Sequence, residues 1–128
     1  MSVQQQAARD AAELVIADPG DAKTIGGGGG AGYRCNLTTG ASNETRTLAD
    51  PTQDGETLTI TLKTDGGGNC DITPATAGLR PASFGGLTTT LARADFDVAG
   101  DTLTLRAVNV GGTLKWSAVE LAGAILSS

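Results

Sequence analysis

The stretch ETLTITLK at residues 56–63 puts Leu58, Ile60 and Leu62 on one side of the chain and Thr57, Thr59 and Thr61 on the other. Successive side chains of a pleated backbone point to opposite faces, so this period of two describes a strand with one buried and one wet face. Threonine is β-branched and suits a half-solvated pleated surface. DTLTLRAV at 101–108 repeats the pattern with Leu103, Leu105 and Ala107. YRCNLTT at 33–39 alternates too, and TLKWSAVEL at 113–121 places Leu114, Trp116 and Ala118 together. Between these runs stand the turn signals DPTQDG, DGGGN, VAGD and NVGG. Short alternating strands with Gly- and Pro-rich turns imply an all-β fold.

The pattern also echoes itself. The segment starting TRTLADPTQDGETLTITLK at Thr45 and the segment starting TTTLARADFDVAGDTLTLRAV at Thr88 share a T-x-T-L-A opening. Each continues with a turn ending in Gly plus an acid, then an alternating strand, then a Gly-rich turn. Two copies are too few for a solenoid. They read instead as two similar β-units packed as halves of one sandwich.

A chain of 128 residues is most simply one domain with a single core. That core is thin and aliphatic: apolar residues make up 39%, many of them Ala, and the aromatics are Tyr33, Phe84, Phe96 and Trp116. Trp116, Phe84 and Phe96 are expected inside. The net charge of −5, with no run of basic residues, disfavours non-specific nucleic-acid binding. No stretch has the apolar length of a membrane span, and the N-terminus lacks the pattern of a signal peptide, so synthesis in the cytosol is expected. Cys35 and Cys70 have no His or further Cys to share a zinc ion. Buried thiols are the reading for a cytosolic product, with a Cys35–Cys70 disulfide left open.

Residues 2–16 read as a short helix. Ser2 and Gln5 form a capping-box pattern, Val3, Ala7, Ala11 and Leu14 share a face, and Pro19 and Gly20 break it. It is either a frayed terminus or an arm that orders against a neighbouring subunit. Five glycines follow at 26–30. No Lys and no helix pattern come after them, so neither a phosphate-binding P-loop nor a dinucleotide loop fits. A flexible joint or close backbone packing remains. The organisation is an arm over 1–25, a joint over 26–32 and a β domain over 33–128.

Catalytic groups are scarce. Without His, neither a Ser-His-Asp nor a Cys-His site can be built. Asp65, Asn69 and Asp71 offer oxygen ligands near a turn, as do Asp50, Asp54 and Glu56, but Asp and Asn are also ordinary turn formers. No enzyme, metal or cofactor is expected. The irregular stretch PATAGLRPASFGG at 74–86 is the internal candidate for a contact surface, with Leu79, Arg80 and Phe84 as anchors.

The segments Thr47–Pro51, Gly55–Leu62, Asp65–Cys70, Ala99–Val108 and Gly111–Trp116, spanning roughly residues 45–120, together resemble capsid decoration (cement or head-stabilising) proteins of tailed bacteriophages. The resemblance implies a non-enzymatic virion protein that binds the outer capsid surface between major capsid protein subunits. It further implies a homotrimer made in the host cytoplasm, with no nucleic-acid or membrane partner. Some members of that family donate an N-terminal segment to a capsid strand. Here LVIAD and AKTI are the strand-capable pieces, so Leu14, Val15, Ile16 and Ile25 join Leu79, Arg80 and Phe84 as expected interface residues. Alternatives are a receptor- or carbohydrate-binding domain of a phage fibre or spike, and a tail or neck component. The fold expected is a small antiparallel β-sandwich or β-barrel-like domain of jelly-roll or β-tulip type, behind an N-terminal arm with a short helix.

Overall fold

The structure is a computed structural model and describes residues 14–26, 29–75, 79–81 and 93–127. Within them the strands are β1 (Val15–Ile16), β2 (Lys23–Ile25), β3 (Tyr33–Thr38), β4 (Glu44–Leu48), β5 (Thr57–Thr64), β6 (Cys70–Pro74), β7 (Leu79–Pro81), β8 (Arg93–Phe96), β9 (Thr102–Val110), β10 (Thr113–Ala122) and β11 (Ile125–Ser127). The fold is all-β, with no helix among the described residues. Leu14 is a turn and Val15–Ile16 a strand, so the helix expected over 2–16 does not reach its last residues. Residues 1–13 lie outside the described residues.

The strands form two sheets, a six-stranded one in the order β1-β3-β5-β9-β10-β7 and a five-stranded one in the order β11-β8-β6-β4-β2. Both are mixed, which corrects the antiparallel expectation. From β1 to β6 the chain passes to the other sheet after every strand. Hence β1, β3 and β5 lie parallel in one sheet, and β2, β4 and β6 lie parallel in the other. This half is a three-coil roll; β9 and β10 extend the six-stranded sheet in antiparallel fashion, and β7 lies outermost, parallel to β10. Residues 14–25, assigned above to the arm, supply the outermost strand on one side of each sheet.

The core fills with the apolar phase of each strand. Leu37, Leu58, Ile60, Leu62, Leu103 and Leu105 from one sheet meet Ile25, Leu48, Ile72 and Phe96 from the other, all fully or almost fully buried. Trp116 is buried as expected. Its indole N–H donates to the Ala49 carbonyl at 2.8 Å, so its one polar atom is satisfied.

The echoed strands meet. β5 and β9 are antiparallel neighbours, with Leu58 opposite Leu105 and Ile60 opposite Leu103. The Gly-acid pair before each strand makes the same bonds to the other strand. Gly55 N–H donates to Ala107 and Ala107 N–H to Glu56, at 3.0 and 2.7 Å. Gly100 N–H donates to Leu62 and Leu62 N–H to Asp101, at 2.8 and 2.9 Å. Both glycines have positive φ, 84° and 99°, which explains the Gly in each copy. The two units thus pair side by side through their long strands, each unit crossing both sheets.

Candidate functional site

Much of the acidic chemistry is engaged in the fold. Glu56 and Asp101 stand at equivalent positions of the echo, and both are buried. The Glu56 carboxylate accepts the Thr52 N–H at 2.8 Å and the Gly29 N–H at 3.1 Å. Asp101 accepts the Asp97 and Val98 N–H groups at 2.8 and 3.0 Å. Each therefore ties down the turn that precedes its own strand, in the manner of a side-chain cap. Asp65 accepts the Gly67 N–H at 2.8 Å, and Asn69 N–H donates to the Asn43 side chain at 3.0 Å. These are turn duties, and no cluster of three or more metal-ligating side chains occurs among the described residues.

A buried cation binds the first two coils together. Arg46 on β4 is in phase with Leu48, so its side chain points into the protein, and it is fully buried. Nε and Nη2 donate to the two Asp18 oxygens at 2.8 and 3.0 Å, and Nη1 donates to Glu44 at 3.0 Å. Burial alone would raise the Asp18 carboxyl. The Arg46 guanidinium and the Thr38 and Gly20 amides outweigh it and hold the group below the usual carboxylate range. The sequence reading did not single out this pair, although a charged residue on the apolar phase of TRTL was the available signal. Cys35 and Cys70 are buried free thiols, pushed by burial up to about 11, so both remain protonated near neutrality.

On the outer face of the five-stranded sheet, Asp71 and Asp95 stand opposite each other on β6 and β8. Burial and the neighbouring Asp95 carboxyl raise Asp71 above the usual carboxylate range. Arg93 lies 3.2 Å from Asp95 and offsets part of the repulsion.

The expected interface residues separate into distinct places. Leu14, Val15 and Ile16 lie at one edge of the six-stranded sheet, where the Arg34 N–H donates to the Leu14 carbonyl at 3.0 Å. Val15 is 44% exposed there, while Leu14 and Ile16 are half-buried. Leu79 and Arg80 lie in β7, at the opposite edge of the same sheet, in register with Trp116 and Ser117. Ile25 is fully buried in the core and offers no side-chain surface in this fold. Phe84 lies outside the described residues. Of the glycine run, Gly29 binds Glu56 and the Gly30 carbonyl accepts the Thr57 N–H at 3.0 Å, so its end is tied to β5. Gly27 and Gly28 lie outside the described residues.

Among the described residues no helix is long and apolar enough to cross a membrane. No protein-family model matches the chain, and no curated protein matches it.

Proposed function

We propose that this chain is a structural virion protein that decorates and stabilises the outer surface of a tailed-phage capsid, bound between major capsid protein subunits. The observation that carries the reading is the placement of the short edge strands. β1 and β7, which hold Val15, Ile16, Leu79 and Arg80 of the seven residues expected to make contacts, are the two outermost strands of one sheet among the described residues. A sheet edge presents unpaired N–H and C=O groups, to which an extended segment of another chain can add. Two such edges allow one subunit to join neighbours on two sides. The use of Glu56, Asp101, Asp65 and Asp18 in holding turns and coils fits a protein that offers surfaces and no reactive centre.

The test is co-sedimentation of the purified chain with empty shells of the phage that carries it. The expected result is saturable binding and shells that resist heat or chelators better than bare ones. Failure to bind shells, together with capture of glycans by the free protein, would overturn the proposal in favour of a receptor-binding module.

A further inference from the structure

The outer face of the six-stranded sheet differs in charge from the rest of the molecule. Arg34 on β3, Lys63 on β5, and Arg106 and Lys115 on β9 and β10 all fall on the outward phase of their strands. Arg34, Lys63 and Arg106 are exposed and Lys115 is half-exposed. Glu120 is the acid that shares this face among the described residues, opposite Thr104. Yet the whole chain carries 14 acids against 9 bases. The acids gather elsewhere. Asp18, Asp21 and Asp65 lie in the corners at one end of the strands, Asp97 lies before β9 at that same end, and Asp54 precedes β5 at the other.

Between the cations lies a threonine floor. Thr59 faces Thr104 and Thr61 faces Thr102, with hydroxyl oxygens 3.4 and 3.2 Å apart. Paired, β-branched side chains have little rotamer freedom to lose, so a partner orders this floor cheaply. Six strands about 4.8 Å apart, with about 3.3 Å per residue along β5, give a face on the order of 600 Å². One partner's share of an ordinary protein interface is about 800 Å².

We infer that this face docks a carboxylate-bearing patch on another folded protein. The cations frame a largely polar sheet face with paired threonines at its centre, and complementary charge gives such contacts their register and encounter rate. An extended polyphosphate is the wrong shape. Running along the strands, it passes beyond the face onto the acids at both ends, where the net charge of −5 repels it. The inference goes beyond the capsid proposal, because it concerns the chemistry of a partner and not its identity.

The test uses the full chain and poly-L-glutamate as the probe, with a short DNA duplex as the comparison, from low to physiological salt. Arg34→Glu, Arg106→Glu and Lys23→Glu change the net charge equally, but Lys23 sits on the short edge strand of the other sheet. All three residues are exposed, and melting curves verify that each variant is folded. The expected result is salt-sensitive binding of poly-L-glutamate, weakened at least about tenfold by Arg34→Glu and by Arg106→Glu and little changed by Lys23→Glu. Three results overturn the inference: no binding of the probe, equal loss in all three variants, or preference for the duplex. Light scattering adds a fourth. Salt-sensitive self-association that Arg106→Glu abolishes would put a second copy of this chain in place of a different partner protein and so overturn the inference.

Discussion

At the scale of single residues, the Arg46–Asp18 pair sets a buried guanidinium against a partly buried carboxylate. The guanidinium is fully buried, while its partners Asp18 and Glu44 keep 14% and 16% of their side-chain surface. Removing the cation leaves the Asp18 and Glu44 carboxylates without their shared counter-charge, and breaking a buried pair costs about 3–5 kcal/mol. With both acids partly wet, Arg46→Ala is expected at the lower end, about 3 kcal/mol, read from urea denaturation at neutral pH. A loss below about 1 kcal/mol would show that water replaces the guanidinium at little cost. The pH dependence has a definite sign. Asp18 is held below its ordinary value of 3.8, so its contribution is present above that value and is lost as pH falls through the folded value. In Arg46→Met, where only the Thr38 and Gly20 amides still lower the group against its burial, this part of the acid sensitivity is expected to shrink. Residues of this kind were only partly legible in the sequence. The phase of Arg46 beside Leu48 marks it as inward, but its partner lies 28 positions away across a corner that no periodicity reveals.

At the scale of elements, the corners explain both what the glycines do and why the topology stayed hidden. The DGGGN corner between β5 and β6 lies directly on the corner between β3 and β4. Gly68 N–H donates to Gly40 at 2.9 Å, and Glu44 N–H donates to Asn69 at 2.8 Å. A Cβ at Gly66 would collide with the Thr39 carbonyl, and one at Gly68 with the Ser42 carbonyl. Neither obstacle is a flexible side chain, so Gly68→Ala is expected to cost about 2–3 kcal/mol or more, measured as a drop in the urea midpoint. A variant that unfolds with the wild type would mean the corners are not stacked. A Gly-rich tight turn and a Gly-rich corner between sheets use the same letters, which is why the chain read as antiparallel. On the outer face, the Asp71–Asp95 pair acts with the opposite sign to Asp18. Asp71 is raised, so its charged form burdens the folded state above the folded value, and the burden lifts as pH falls through it. Asp71→Asn is therefore expected to stabilise the protein at pH 7 by about 0.2–1 kcal/mol, with the gain vanishing below about pH 4. An equal gain at both pH values would assign the effect to packing instead of charge.

At the scale of the whole molecule, the repeat visible in the sequence and the repeat built into the fold are different objects. The echo at Thr45 and Thr88 places like strands side by side as β5 and β9, and its matching Gly-acid corners make the likeness readable. The three coils β1-β2, β3-β4 and β5-β6 share no comparable sequence pattern, because each needs only one apolar phase and a corner that fits the coil beside it. Their dependence on neighbours governs what a truncation does. Deleting residues 1–13 keeps every described strand, the Asp18–Arg46 pair and Ile25. Deleting residues 1–25 removes β1, β2 and Asp18, withdraws Ile25 from the core and leaves Arg46 with Glu44 alone among its carboxylate partners. Burial of one large aliphatic side chain contributes about 1.5–3 kcal/mol, and the broken pair adds about 3 kcal/mol. That sum is comparable with the whole stability of a small domain, about 5–15 kcal/mol. The longer deletion is thus expected to lie at least about 4 kcal/mol below the shorter one, or to fail to fold, when the two are compared by denaturation and circular dichroism. Equal midpoints for the two deletions would show that the second coil closes the roll by itself. Residues 14–25 would then be free to serve as a detachable arm.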